Sequence, residues 1–290
     1  MSQTSNPKLG IILMILAMAV FAIQDGLSRY LAEHYHVMTV VMIRFWVFGA
    51  FVILFFKRQP GGLAQVARSG ALRWQILRGV LLVFEIMVIV IGFVALGLIE
   101  SHAIFAVYPL LVAALAGPVL GEYVGWRRAA AILVGLVGVL IILRPGGGVF
   151  SPVALIPFVA ALMFALYALL TRFVSRADSA ATSFFYTGVA GAAAVTVIGP
   201  FFWDPIHGWL DWTLMLSLSF AGLLGHFLMI KAYEYSEAGA IQPFAYFQLV
   251  FVSIIGVSIF GERPDTWTIA GTAMILSAGV YTIIRSARTR

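Results

Sequence analysis

The segment FAIQDGLSRY, Phe21–Tyr30, lies in an apolar run yet carries Gln24, Asp25, Ser28 and Arg29, and a similar string, FALYALLTRF, returns at Phe164–Phe173. Phe21 aligns with Phe164, Ala22 with Ala165, Arg29 with Arg172 and Tyr30 with Phe173, each 143 positions on. A second echo joins VLGEYVGW, Val119–Trp126, to IFGERPDTW, Ile259–Trp267. There Gly121–Glu122 aligns with Gly261–Glu262, and Trp126 with Trp267 after one inserted residue. Gly138 and Arg144 then match Gly279 and Arg285. The chain reads as two copies of one unit, residues 9–143 and 151–286.

Composition says where those units reside. Hydrophobic residues make up 62% of the 290 residues and charged residues 10%. A soluble domain is about 45–50% apolar and about 25% charged, and needs those charges to cover its surface. Long apolar runs with almost no charge predict transmembrane helices. Ten are expected, near 9–31, 37–56, 74–96, 101–120, 126–143, 151–173, 180–202, 212–233, 239–260 and 267–285. The fold class is an all-α integral membrane protein. The apolar run near the N-terminus continues unbroken into the repeated segment and is read as a span, not as a cleaved signal. No cysteine is present, which excludes disulfide and thiol chemistry.

Five spans per unit is an odd number, so the second copy must enter the membrane with the opposite orientation. Lys and Arg then report sidedness. With the N-terminus inside, the inner segments hold 14 basic residues, Arg78 among them, and the outer segments hold three: Arg29, Arg144 and Arg263. Both termini are expected to be cytoplasmic, in a bacterial inner membrane. The formal net charge of +6 therefore reports orientation, and nucleic acid is not an expected partner. The longest connection, Lys57–Arg73, contains RQPGG, and the next surrounds WDPIHGWLDW, whose tryptophans suit a membrane interface.

The five-plus-five pattern, each half closing with a Gly-Glu turn before its last helix, resembles the EamA branch of the drug/metabolite transporter superfamily. The second half carries the resemblance best, in GHFLMIKAYEYSEAGAIQPFAYFQLVFVSIIGVSIFGERPDTWTIAG, Gly225–Gly271. In the first half, ALGLIESHAIFAVYP is three residues shorter than its counterpart. Within the family the chain looks most similar to bacterial exporters of aromatic amino acids, while other members carry riboflavin or S-adenosylmethionine. The resemblance implies a central cavity bounded by spans one, three, four, six, eight and nine, reached from either side by alternating access. Expected partners are a small-molecule substrate and the lipid bilayer, with the chain as a monomer or homodimer.

Charges inside a bilayer cost about 2.5–3.5 kcal/mol each on insertion scales and need a partner, a cavity or a function. Asp25 and Arg44 lie six and seven residues from the outer ends of their spans, about 9–10 Å deep, and are expected to form a structural ion pair. Glu85 lies about 16 Å into its span, near the midplane, with no basic residue evidently level with it. It reads as a neutral hydrogen-bonding group, a proton-coupling site or the counter-charge of a substrate amine. Helical spacing collects Gln24 with Ser28; Ser101, Phe105 and Tyr108; Phe164, Tyr167 and Thr171; Gly222, His226, Met229 and Tyr233; and Gln242 with Tyr246. Any one stripe could be packing. Together they describe an apolar cavity with a few orienting polar groups. The candidate substrate-binding residues are Gln24, Glu85, Tyr108, Tyr167, His226 and Tyr246. His102 and Gln242, 140 apart, are expected at opposite mouths of the cavity as gates. Pro109 and Pro243 each remove a helical hydrogen bond and permit a bend.

No Lys or Arg lies between Gln242 and Phe260 or between Thr268 and Ile284, which argues against phosphorylated substrates. No nucleophile–base motif, metal site or phosphate loop is present, so neither a catalytic residue, a metal nor a cofactor is expected, and the chain does not read as an enzyme.

Overall fold

The computed structural model describes residues 6–121, 126–143, 152–236 and 241–288. The helices follow the apolar runs, and their ends follow local polar chemistry. α1 (Pro7–Ala32) starts with a proline in its first turn, where no N–H is needed, and Asn6 accepts from the Leu9 N–H at 3.2 Å. α2 (Val37–Lys57) is capped by His36, which accepts from the Met38 N–H at 3.2 Å. A one-turn α3 (Gly62–Val66) sits in the long connection, followed by α4 (Leu72–Leu96). α5 (Leu98–Phe105) and α6 (Tyr108–Leu120) together make the next crossing. α7 (Trp126–Leu143) completes the first half.

The second half runs through α8 (Leu155–Val174), α9 (Ala180–Ile198), α10 (Trp209–Tyr235), α11 (Phe247–Ser258) and α12 (Thr266–Arg288). Ser179 caps α9, accepting from the Thr182 N–H at 3.1 Å. The tryptophan-rich connection forms a 3-10 turn, Gly199–Phe202, then extended chain that hydrogen-bonds back to the α1–α2 turn, where the Tyr35 hydroxyl accepts from the His207 N–H at 3.1 Å and donates to Asp211 of α10 at 2.6 Å.

Seven helical segments among the described residues are long and apolar enough to cross a membrane, and three shorter apolar ones are Ala129–Ile142 in α7, Phe244–Ser258, which runs from a 3-10 turn into α11, and Thr266–Ala278 in α12. Two apolar segments are broken where proline was expected to bend them. The break at Ala106–Val107 places Pro109 at the second position of α6, and a 3-10 turn, Gln242–Tyr246, precedes α11. Proline lacks the N–H that a continuous helix needs there.

The helix pairings come in matched sets. α1 packs on α10 and α8 on α4; α1 packs on α11 and α8 on α6; α2 packs on α10 and α9 on α4. α2 packs on α9 and α7 on α12. Exchanging α1 with α8, α2 with α9, α4 with α10, α6 with α11 and α7 with α12 leaves this list unchanged.

The second Gly-Glu turn has a defined structural task. Gly261 adopts φ +64°, a left-handed conformation that favours glycine. The Glu262 carboxylate then accepts from the backbone N–H groups of Leu98 and Ile99, each at 2.7 Å, and pairs with Arg29. Those N–H groups open α5 and have no partner within their own helix. Glu122 and Tyr123 lie outside the described residues.

Candidate functional site

Phe21 and Phe164, the aligned aromatic residues of the repeated segment, face one central cavity from α1 and α8. α4 adds Glu85 and Phe93, α5 adds His102 and Phe105, α10 adds His226 and α11 adds Gln248. Arg44 reaches in from α2, an element outside the expected set. The helices that occupy the places expected for spans one, three, four, six, eight and nine all contribute. The rings form a continuous series: Phe93 stacks on His102 at 4.9 Å, Phe105 meets Phe164 at 5.5 Å, Phe164 meets Tyr167 at 5.7 Å, and Tyr167 meets His226 at 5.9 Å. These stacked, tilted and edge contacts hold the wall. The cavity is about 30 Å³, room for about two water molecules. A metabolite enters only if the helices part.

The expected Asp25–Arg44 ion pair is not formed. Arg44 Nη2 donates to Gln24 Oε1 at 2.8 Å, and Gln24 Nε2 donates to Asp25 Oδ1 at 3.0 Å. The amide stands between the charges and passes the polarity from one to the other. Asp25 Oδ2 is taken up by His102 Nε2 at 3.1 Å and by Gln248 Nε2 at 2.8 Å. Equal depth along the two helices predicts contact, but Gln24 on α1, His102 on α5 and Gln248 on α11 take both oxygens of Asp25.

Arg44 shares the cavity with Glu85, so Glu85 is not isolated from positive charge. Among the described residues the Glu85 carboxylate has no hydrogen-bond partner, and the Arg44 Nε and Nη1 donors have none. Arg44 fits beside α10 because position 222 is glycine. A Cβ there would come within 2.7 Å of Arg44 Nε. Gly222→Ala is expected to push the guanidinium off Gln24 and off His226, whose Nε2 lies 3.3 Å from Arg44 Nη2, costing about 1–3 kcal/mol in stability as an overpacked site does. Thermal unfolding of the purified variant checks this; a wild-type melting curve would show that the arginine has slack.

The candidate residues divide. Gln24, Glu85 and His226 line the central cavity. Tyr108 and Tyr246 line a smaller one of about 10 Å³ beside it, with His102, Phe105 and Gln248 common to both. Tyr167 lines neither. Its hydroxyl lies 3.3 Å from Arg78 Nη1 and 3.5 Å from His226 Nδ1, behind the wall. His102 is 2% exposed and joins the two cavities, so it is not at a mouth as expected for a gate. Gln242 lies in the 3-10 turn, and its side chain is outside the described residues.

Two residues escaped the sequence reading. Gln248 sits on α11 between hydrophobic neighbours, without a polar stripe to mark it. The sequence places Arg78 among the inner flanking charges, but it is the seventh residue of α4 and is 0% exposed. It donates to Thr171 at 3.1 Å, Thr187 at 2.8 Å, Gln75 Oε1 at 3.1 Å and the Ser183 carbonyl. Gln75 Nε2 in turn donates to Asp178 at 2.9 Å. Both buried arginines therefore reach an aspartate through a glutamine: Arg44–Gln24–Asp25 and Arg78–Gln75–Asp178. One guanidinium sits between α2 and α10, the other between α4 and α9, which are matched interfaces of the pairing described above. The signal available was an Arg with a Gln three residues before it on one helix face.

Set beside known proteins, the S-adenosylmethionine uptake transporter of Rickettsia prowazekii is 27% identical over 94% of this chain and 92% of its own length. The riboflavin transporter of Vibrio cholerae is 26% identical over 95% of this chain and 93% of its own. A protein of known crystal structure matches over the whole of both chains with a TM-score of 0.67 at 18% identity, which shows a shared fold. The model of the EamA-like transporter family matches twice, at residues 8–144 and 151–285. A multi-pass membrane protein of transporter type, the chain belongs to the EamA-like transporter family.

Proposed function

We propose that the protein is an alternating-access secondary transporter of a bacterial inner membrane. Its substrate is a zwitterionic metabolite of amino-acid type with an aromatic body. One observation carries the substrate class. Among the described residues, Arg44 Nε and Nη1 have no hydrogen-bond partner and no hydrogen bond reaches the Glu85 carboxylate, and both side chains line the same aromatic-walled cavity. Opposite charges on a small apolar cavity match a substrate carboxylate and ammonium, while the rings match its flat body. Aromatic amino acids fit this description, and export of them is the reading proposed. S-adenosylmethionine, named for a relative, fits as well, with an amino-acid head and an adenine ring. Riboflavin, named for another, lacks the zwitterionic end and leaves both charges unanswered.

The proposed architecture is ten spans in two inverted repeats, with both termini cytoplasmic. It is supported by the exchange of helix pairings between the halves and by the double match of the family model. Moving Arg78 from the flanks to the interior leaves 13 inner basic residues against three, so the bias persists. Since the chain has no cysteine, single cysteines at Tyr123 and Pro264 can be labelled without background. A membrane-impermeant thiol reagent on intact cells is expected to label position 264 only. Equal labelling of both would overturn the inversion.

Counterflow in liposomes containing the purified protein tests the substrate class. Labelled phenylalanine and S-adenosylmethionine are expected to exchange, separately from phenethylamine, which lacks the carboxylate, and from riboflavin. Exchange of riboflavin without either zwitterion would refute the reading.

A further inference from the structure

A far roomier cavity than the central one lies where α2 stops and α9 begins. It holds about 740 Å³, inside the range of about 300–1,000 Å³ usual for a ligand site. Its walls come from both halves of the chain: Phe55, Phe56 and Arg68 from the end of α2 and the connection after it, and Asp178, Ala181 and Thr182 from the α8–α9 turn and the start of α9. Two contacts fix the backbone on either side of Arg68. The Tyr186 hydroxyl donates to the Ala67 carbonyl at 2.8 Å. Asp178 accepts from the Ser69 hydroxyl at 2.5 Å and from the Gly70 N–H at 2.7 Å. Between these anchors Arg68 is exposed, and its side chain makes no hydrogen bond or ion pair among the described residues. The fold holds the residue in place and leaves its guanidinium unused.

The charge around the cleft is positive. Lys57 and Arg58 are exposed beside the lining residues Phe56 and Gln59, and they too make no side-chain hydrogen bond or ion pair among the described residues. Asp178 is the one carboxylate among the lining residues described. Ser69, Gly70 and Gln75 occupy both of its oxygens, and it is buried. An anion is the ligand that three free cations call for. Position along α2 selects the kind of anion. The apolar span of α2 ends at Lys57, and Ile53, Leu54 and Phe55 just before it are exposed. An apolar surface thus runs up to the cations at the level where a bilayer meets water. A small soluble anion has no use for that surface. A phospholipid lays an acyl chain on it and offers a phosphodiester to Arg68, whose planar fork of N–H donors suits phosphate oxygens.

We propose that this cleft binds one anionic phospholipid of the cytoplasmic leaflet. Its phosphate sits on Arg68, Lys57 and Arg58 stand at the rim, and the upper part of a chain lies on Phe55. A lipid bound there bridges the α2–α4 connection of the first half and the α8–α9 turn of the second. Asp178, on the wall, accepts from Gln75, which accepts from Arg78, so the cleft adjoins the buried network between α4 and α9. Occupancy is therefore expected to stabilise the fold. The choice of leaflet rests on the sidedness proposed above, whereas the binding does not.

Native mass spectrometry of the purified protein in a neutral detergent, with equal amounts of phosphatidylglycerol and phosphatidylethanolamine, tests the site. One phosphatidylglycerol per chain is expected to stay bound under activation that strips phosphatidylethanolamine. Arg68→Gln is expected to weaken phosphatidylglycerol binding about fivefold, the factor that one basic residue near an anionic lipid contributes. Ala181→Trp fills the cleft while keeping every charge, and is expected to weaken it as well. Lys8→Gln, exposed in the first turn of α1 at the same end of the bundle, is expected to bind as the wild type does. Arg68→Gln removes no buried contact, so it decides the matter even if the tryptophan variant does not fold. Phosphatidylglycerol is also expected to raise the melting temperature, and inorganic phosphate to leave it unchanged. Equal retention of the two lipids, equal weakening in Lys8→Gln, or wild-type binding in Arg68→Gln overturns the site. Stabilisation by phosphate that matches the lipid overturns the lipid as its occupant. Labelling of a cysteine at position 123 from outside intact cells overturns the leaflet alone.

Discussion

Arg78→Ala is expected to be the most damaging single substitution in this chain, lowering stability by about 3–5 kcal/mol, the cost of breaking a buried charge network by removing one partner. The guanidinium is 0% exposed and bridges α4 to α8 and α9. Removing it leaves the acceptors of Thr171, Thr187, Gln75 and the Ser183 carbonyl facing a void in a dry interior, each with its desolvation cost unmet. It also frees Tyr167, which backs His226. Arg78→Lys is expected to fall between, because an ammonium cannot span the same fork of acceptors. Thermal unfolding and monodisperse elution of purified protein measure both. A shift below about 1 kcal/mol for the alanine variant would mean that the network is a bystander.

Arg44→Gln is expected to reduce zwitterion transport by more than tenfold, since losing one partner of a buried charged pair costs about 2–5 kcal/mol. Phenethylamine, with no carboxylate, should be favoured relative to phenylalanine in this variant. Glu85→Gln should act in the mirror sense, weakening amine-bearing compounds whatever their side chain. Tyr167→Ala, in contrast, acts through His226 and Arg78, and its effect should not sort substrates by ring size. Flux of phenylalanine, phenethylamine and phenylpropionate by the purified variants checks all three. Equal losses for every compound in Arg44→Gln would reduce the residue to scaffolding.

The membrane class, the twofold repeat and the polar face of α1 were legible in the sequence because each depends on local pattern. Apolar length follows from bilayer thickness, and the 143-residue echo needs only alignment. The breaks near Pro109 and before α11 were legible because proline acts on its own helix. The same reasoning places Gln24, Glu85 and His226 on faces that turned out to line the cavity.

What only the tertiary structure decided is which helix meets each face, and at what height. Periodicity orders residues around one axis but is silent about the neighbour across it. Thus Asp25 was matched by depth to Arg44, whereas it meets His102 and Gln248, and the two charges are joined through Gln24. Arg78, near the start of α4, looked like a flanking charge, because a linear reading takes the end of an apolar run for the end of the protein interior. In a bundle that end is covered by α8 and α9, whose hydroxyls and carbonyl replace water around the guanidinium. Local chemistry sets the elements. The partners of a buried charge come from segments about a hundred residues away in the chain, and only packing brings them within hydrogen-bond reach.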